Sequence, residues 1–476
     1  MLRHLPFIAT PIALTLLLGG CAVTRVEPPA PTPAPAQFKE TALWQRGASA
    51  STASQVPDEW WKLFNDPVLN DLQNQLVIGN ENLKTAVAQV ASARAELGAS
   101  RAAQLPSLSA GLAATRSDGG GEMNTNNTNS RALQNSVTLQ ATAAWELDLW
   151  GRLAQATNAS RARYEASTAD LAAARLSAQA TLTQTYFSMR AAEAQQALIE
   201  RSITGYQRSL ELTQARYQAG VAAQTDVLQA QTQLKTAQAQ GLDAATQRAQ
   251  LEHALAVLLG QFPSSFNIAV SPSLPESPQV PALLPATLLE RRPDIAAAQQ
   301  RVNAAYAEIG VADAAFFPDL SLSANVGYRK SSFNNIFSAP NLFWSLGPAL
   351  TQALFDGGAR RAASDQARAS ADQATSTYRQ AVLTALQEVE DNLTLASQLQ
   401  AQAQIQQEAL QYAQRNLEIT NEQYRVGTVG YLNVVTAQAT ALGSERTLLD
   451  VRNRQLAAVS QLLKNIAGRW QESSVQ

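Results

Sequence analysis

Two hydrophobic patterns divide the chain between them. Leu108, Ala110, Leu112 and Ala114 alternate with Ser109, Gly111, Ala113 and Thr115. The same period of two recurs through Val137, Leu139, Ala141, Ala143, Trp145 and Leu147, then through Leu320, Leu322, Ala324, Val326 and Tyr328. A fourth stretch includes Leu342, Trp344, Leu346 and Leu350. Alternation of this kind predicts β-strands with one apolar face. The polar run Asp118–Asn129 joins the first pair, and Ser331–Pro340 joins the second. Each half of the chain therefore holds one hairpin. Strands of about ten residues suit a tilted membrane-barrel strand, and the Ser/Thr/Asn/Gly face suits a water-filled lumen. A soluble hairpin packed on helices is the alternative.

Elsewhere the chain is rich in Ala, Gln and Leu, with no proline between Pro106 and Pro263 or after Pro348. Helix-forming composition runs from Arg152 to Ala219 and from Arg360 to Val426, each beginning just after a glycine, Gly151 or Gly357–Gly358. At 1.5 Å per residue each predicts a helix roughly 100 Å long. Such helices form coiled coils or helical barrels; a globular domain could not hide them. Each is followed by a glycine-bearing turn and a shorter helix, Asp226–Leu259 and then Asn433–Ile466. Pro67–Ala103 and Pro293–Ala315 read as two further helical stretches.

These pieces repeat. Leu83, Ala95, Glu96, Gly98 and Pro106 recur as Ile295, Ala307, Glu308, Gly310 and Pro318, at a spacing of 212. Tyr217, Gly220, Val227, Ala230 and Gln231 recur as Tyr424, Gly427, Val434, Ala437 and Gln438, at 207. An offset that shifts once means two similar halves with one loop of different length. The chain accordingly divides into a leader (1–20), an N-terminal segment and linker (21–59), a first repeat (60–262) with its hairpin at 105–147, an inter-repeat linker (263–284), a second repeat (285–470) with its hairpin at 317–355, and a tail (471–476).

The leader has Arg3 and His4, an apolar run from Leu5 to Leu18, and Leu18-Gly19-Gly20-Cys21. The run is too short for a transmembrane helix of ~20 residues. Its end looks like a bacterial lipoprotein cleavage box, which would leave Cys21 as an acylated N-terminus; several acyl chains anchor stably where one does so only marginally. Ala22, where an aspartate would signal retention, favours sorting to the outer membrane by resemblance to Gram-negative lipoproteins. Pro28–Ala36 is proline-rich and predicts an extended spacer, with the folded body beginning near Trp60-Trp61.

Composition removes other functions. The net charge of -2 gives no footing for nucleic acid. His253 is the only interior histidine and Cys21 the only cysteine, which excludes a Cys/His zinc site, a disulfide framework and a Cys–His nucleophile within one chain. Met123 and Met189 do not cluster, so a methionine-based metal site gets no support. The densest carboxylate run, Glu388, Glu390 and Asp391, reads as a solvated helix face. No enzyme site and no cofactor is expected beyond covalent lipid on Cys21. Four strands cannot close a barrel, which needs at least about eight. Open strand edges cannot face lipid either, so strands that span a membrane must be shared among several copies.

Trp60-Trp61-Lys62-Leu63-Phe64-Asn65-Asp66-Pro67-Val68-Leu69 resembles the opening motif of the TolC-family outer-membrane efflux factors, in their NodT-like, OprM-like lipoprotein branch. Leu105-Pro106-Ser107-Leu108, Trp145–Arg152, Glu290–Ile295, Phe317–Leu320, Phe355–Gly358 and Tyr424–Gly427 match as well. The resemblance implies an α+β membrane protein: a homotrimer with a long periplasmic α-helical barrel, a shared twelve-strand transmembrane β-barrel and a two-fold internal repeat. It implies an exit duct for small molecules such as drugs, partnered by a periplasmic adaptor and an inner-membrane RND or ABC pump. A duct for type I protein secretion is the rival within the family, and a periplasmic coiled-coil scaffold the rival outside it. The loops between strands would lie at the cell surface, and the turns at Gly220, Gly427 and Gly430 would form the periplasmic tip. In this family the tip closes with an aspartate ring. Thr225-Asp226 matches the threonine–aspartate pair, and Tyr424 matches the tyrosine bonded across to that aspartate. Asn433 and Thr436 stand where relatives carry aspartates, and Val429 where a polar residue is frequent. Asp226 is thus the main gate charge, unless it serves only as a helix cap.

Overall fold

The computed structural model describes residues 27–30, 35–40, 59–118, 133–278, 280, 291–467. Cys21 and most of the first strand-connecting segment, including Gly120, lie outside these residues. Helix accounts for most of what is described, with one antiparallel sheet.

Among the described residues seven α-helices run in chain order: α1 Pro67–Gly79, α2 Glu81–Ala102, α3 Arg152–Gln218, α4 Gln224–Leu258, α5 Pro293–Ala314, α6 Ala359–Val426 and α7 Tyr431–Ile466. The strands are β1 Ser107–Asp118, β2 Leu133–Leu147, β3 Asp319–Lys330 and β4 Leu342–Thr351. The long helices α3 and α6 have 67 and 68 residues, as the proline-free stretches predict. They are held by thin seams. On α6 the buried positions Tyr378, Val382, Ala385, Val389, Leu393, Ala396 and Leu399 step by three and four, the spacing of a coiled-coil stripe.

The expected helix over Pro67–Ala103 is instead two. It breaks at Asn80, which accepts the Leu83 amide on Oδ1 at 3.0 Å and donates Nδ2 to the Leu258 carbonyl at 2.7 Å. The reason is a close crossing: a Cβ at Gly79 would sit 2.1 Å from the Leu259 carbonyl oxygen. The chain must be bare and bent there.

Each expected hairpin is present, as β1–β2 and β3–β4. The two hairpins are also joined directly, β2 to β3, in a single sheet of order β1-β2-β3-β4. The outer edges of β1 and β4 have no partner strand among the described residues. Leu108, Leu112, Trp344, Leu346 and Leu350 are exposed on these outer strands. No described helix is long and apolar enough to cross a membrane.

The described chain clusters into two compact units, and each draws on both halves of the sequence. One contains Val90–Ser167 and Ala298–Tyr378, including the sheet. Within it Trp150 stacks on Phe317 at 5.0 Å and donates Nε1 to the Pro318 carbonyl at 2.6 Å, fixing the β2-to-α3 junction. The other contains the described residues of Pro31–Gln89, Thr168–Ala297 and Arg379–Gln476. Its core gathers Trp60, Phe64, Leu69, Leu76, Tyr186, Phe187, Leu259, Leu462 and Ile466. Phe38 is buried in this core too, so the segment after the proline-rich stretch is already docked before Trp60.

The carboxylate run on α6 is not a solvated face. Glu390 accepts the backbone amides of Lys39 and Glu40 at 2.6 and 2.9 Å, clamping that docked segment. Glu388 accepts from Arg292 at 2.9 Å, and Arg292 also forks onto Asp294. Among the described residues Asp391 has only a local partner, Gln387. The sequence carries no local sign of these pairings, because each partner lies on a distant segment.

Candidate functional site

The expected gate residues lie at two helix-to-helix turns of the second unit, in the turns or in the helix ends beside them. Gly220 follows α3 with φ +73 and Gly427 follows α6 with φ +85; both are left-handed positions that favour glycine. Val221 N–H closes onto the Arg216 carbonyl at 2.9 Å, and Thr428 N–H onto the Gln423 carbonyl at 3.0 Å, so the two turns are built alike. Gly430 differs. It is the extended N-cap of α7, with φ -79, and needs no left-handed backbone.

A small aromatic cluster packs between the turns. Tyr424, Tyr431, Val434 and Ala230 are buried together, with Leu210, Val429 and Val435 against them. Val429 thus serves packing. The Tyr424 and Tyr431 rings lie 5.6 Å apart, tilted by 56°. Ser209 Oγ donates to the Tyr431 hydroxyl at 3.4 Å. Burial pushes the Tyr431 phenol above its ordinary range, so it stays a neutral hydroxyl near pH 7.

Tyr424 is not bonded to Asp226 within the chain. Its hydroxyl meets Thr213 Oγ1 at 3.2 Å, and its carbonyl accepts Arg216 Nη1 at 2.8 Å. Asp226 is not the cap of its helix either: Ala223 is the N-cap, and Asp226 falls in the first turn of α4. There its charge complements the helix N-terminus. The carboxylate is half-buried and makes no hydrogen bond among the described residues. Thr225, Asn433 and Thr436 are exposed, and Thr436 Oγ1 only returns to the Leu432 carbonyl at 2.9 Å. Arg216, which the sequence does not single out, joins Thr213 and Ser209 in connecting α3 to the second turn. Its signal was slight: one arginine among many on a helix.

Residues 72–261 and 284–468 match the outer membrane efflux protein family, and the chain belongs to it. It is similar to the probable efflux pump outer membrane protein TtgC of Pseudomonas putida, with 29% identity over 97% of this chain and 95% of that one. It is 31% identical to the pyoverdine export outer membrane protein OpmQ of Pseudomonas aeruginosa, over 97% of this chain and 96% of the other. Among solved structures, the outer-membrane channel OprN superposes with a TM-score of 0.86 at 30% identity, covering 94% of this chain and 99% of that chain. The family consists of outer-membrane channel proteins, and this member is a channel protein of that kind, not an enzyme.

Proposed function

We propose that the chain is the outer-membrane exit duct of a tripartite efflux pump, passing small toxic molecules outward from an inner-membrane RND or ABC transporter through a periplasmic adaptor. One observation carries the reading: a four-stranded sheet with two open edges and exposed apolar side chains, on a chain of the efflux family. Such edges are tolerable in lipid only if copies pair β1 with β4 around a ring. Three copies give a twelve-strand barrel, with the long helices forming a second barrel in the periplasm. The two repeats, 60–262 and 285–470 with the linker 263–284 between them, each supply one hairpin and one long helix. The loops 118–129 and 331–340 face the cell exterior. The cargo named in relatives, pyoverdine for one and toluene for another, differs from protein to protein. The transporter, not the duct, sets it.

Cys21 carries the acyl anchor in this reading, and the duct needs no other covalent group. Cys21→Ser abolishes acylation, read by mass spectrometry of the mature protein, while the barrel still inserts. An unmodified Cys21 in the mature wild-type protein refutes the anchor.

Three Asp226 carboxylates, one per protomer, ring the narrow periplasmic end; Thr225, Asn433 and Thr436 line it without charge. Like charges at a constriction favour cations and repel one another. In planar bilayers, Asp226→Ala is expected to raise resting conductance and to lower the preference for cations. Tyr424→Phe raises conductance more weakly. Unchanged conductance and selectivity in an intact Asp226→Ala assembly leave the carboxylate only its role at the helix N-terminus.

A further inference from the structure

The sheet carries two cations at one end, on the face that meets lipid in the duct. We propose that Arg116 and Lys330, with the loop between β3 and β4, bind a phosphorylated glycolipid of the outer leaflet, the chemistry of lipopolysaccharide. The cations take its phosphates and the loop's phenylalanines its acyl chains, an inference that rests on the duct reading above.

Strand register sorts the two faces. Leu322, Val326 and Tyr328 of β3 pair with Pro348, Trp344 and Leu342 of β4, so apolar side chains share one face. Ser323, Asn325 and Arg329 fall on the other, where Asn325 accepts from Thr142 Oγ1 at 2.6 Å. Lys330 has the parity of Tyr328 and is level, through Val137 of β2, with Ala114 of β1. Arg116 lies two residues farther out on the same apolar face. Among the described residues, and apart from Asp118 at the end of β1, these two are the only charged positions on it. Arg329, a third cation at this end, instead lies over the Phe343 ring of the opposite face at 5.0 Å. From Leu320 to Tyr328 the strand covers about 26 Å, or about 20 Å of height at a tilt of about 40°. That fills most of a membrane barrel's apolar band of about 25 Å. Lys330 and Arg116 therefore stand at headgroup level, at the end of the sheet away from the helices.

The loop after Lys330 holds apolar rings at that same level. Asn341 Nδ2 donates to the Asn335 and Ile336 carbonyls at 3.0 and 3.2 Å, and to Ser338 Oγ at 2.7 Å. Lys330 Nζ donates to the Asn334 carbonyl at 2.8 Å. These bonds bury Ile336 yet leave Phe333 and Phe337 61% and 68% exposed. The Phe337 ring meets Tyr328 edge-on at 5.4 Å, which puts it on the lipid-facing side. Bare phenyl rings beside fixed cations suit a ligand whose phosphates sit directly above its acyl chains. In the ring of copies β4 meets β1 of the next copy. Each loop then stands between its own Lys330 and the next copy's Arg116.

Purified lipopolysaccharide added to the detergent-extracted protein, with bound lipid counted by native mass spectrometry, tests the site. Wild type is expected to bind the fully phosphorylated lipid about ten-fold more tightly than the same lipid stripped of its phosphates. The double variant Arg116→Gln/Lys330→Gln loses about ten-fold in affinity, whereas Arg116→Lys keeps most of it. Rising salt weakens wild-type binding and leaves the double variant nearly unaffected. Equal binding by the double variant and wild type overturns the site. So does equal binding of phosphatidylglycerol, which would mark a general taste for anions, or displacement of the lipid by inorganic phosphate alone. If the double variant fails to assemble, Arg116→Gln leaves the Lys330 bond to the loop in place and carries the same test: weaker binding supports the site and wild-type affinity overturns it. An intact wild-type assembly that binds no lipopolysaccharide overturns this site alone. A wild-type protein that forms no membrane assembly overturns the duct reading and the site with it.

Discussion

Glu193→Ala is expected to lower unfolding stability by about 3–5 kcal/mol, the usual result of breaking a buried ion pair on one side. Glu193 is fully buried and bridges two arginines: Arg190 Nη1 at 2.7 Å and Arg248 Nε at 3.3 Å. Burial disfavours the Arg190 cation, yet its bonds to Glu193 and Tyr186 outweigh this and raise its pKa above the ordinary value. Removing the carboxylate leaves the Arg190 charge buried without a counter-ion. It also frees a loop. Glu193 accepts the Ser271 amide, Arg190 donates to the Ala269 carbonyl, and Arg248 donates to the Ile268 carbonyl. Glu252 accepts the Ile268 amide at 2.9 Å. The network is what pins residues 268–271 onto α3 and α4. The measurements are thermal melting of the detergent-solubilised protein and limited proteolysis of the 263–280 segment. A Glu193→Ala protein that melts and resists protease like wild type would show that the network fastens nothing.

The second large effect is in the sheet. Gly327→Val is expected to abolish the folded, membrane-inserted protein. A Cβ at Gly327 would lie 2.3 Å from the Leu139 carbonyl oxygen and 2.9 Å from Gln140 Cα, both backbone atoms that cannot swing aside. Overpacking typically costs about 1–3 kcal/mol even where side chains can yield. Here the clash opens the β2–β3 ladder between Val137↔Lys330 and Leu147↔Leu320, the strand pairing that joins the two hairpins. Gly347→Val is the control, because a Cβ at Gly347 in β4 meets nothing within 4 Å. Outer-membrane fractionation of the two variants decides it. Equal recovery of both would mean that the β2–β3 register is wrong.

That join marks where sequence reading stops. Every strand was legible because a period of two is written residue by residue, and the long helices because proline is missing from them. The β2–β3 pairing has no such local record: Leu147 and Leu320 are brought together only by everything that lies between them. The same limit hid Glu193 and Glu390, whose spacings on a helix look like any solvated face until distant partners arrive. The break at Asn80 was readable in principle, since Gly79-Asn80 is a turn-forming pair, but the surrounding helix-formers masked it. At the paired turns, the sequence located Gly220, Gly427 and Asp226 through the repeat and the resemblance. It could not show that Tyr424 bonds Thr213 and Arg216, because both contacts run between helices about two hundred residues apart.

The central claim is that this chain completes its sheet only with copies of itself, in a membrane. The number of chains in the detergent-extracted particle tests it most directly, by native mass spectrometry. The account predicts three chains per particle, which fall out of solution when detergent is withdrawn. A single chain that remains monodisperse in plain buffer would contradict it.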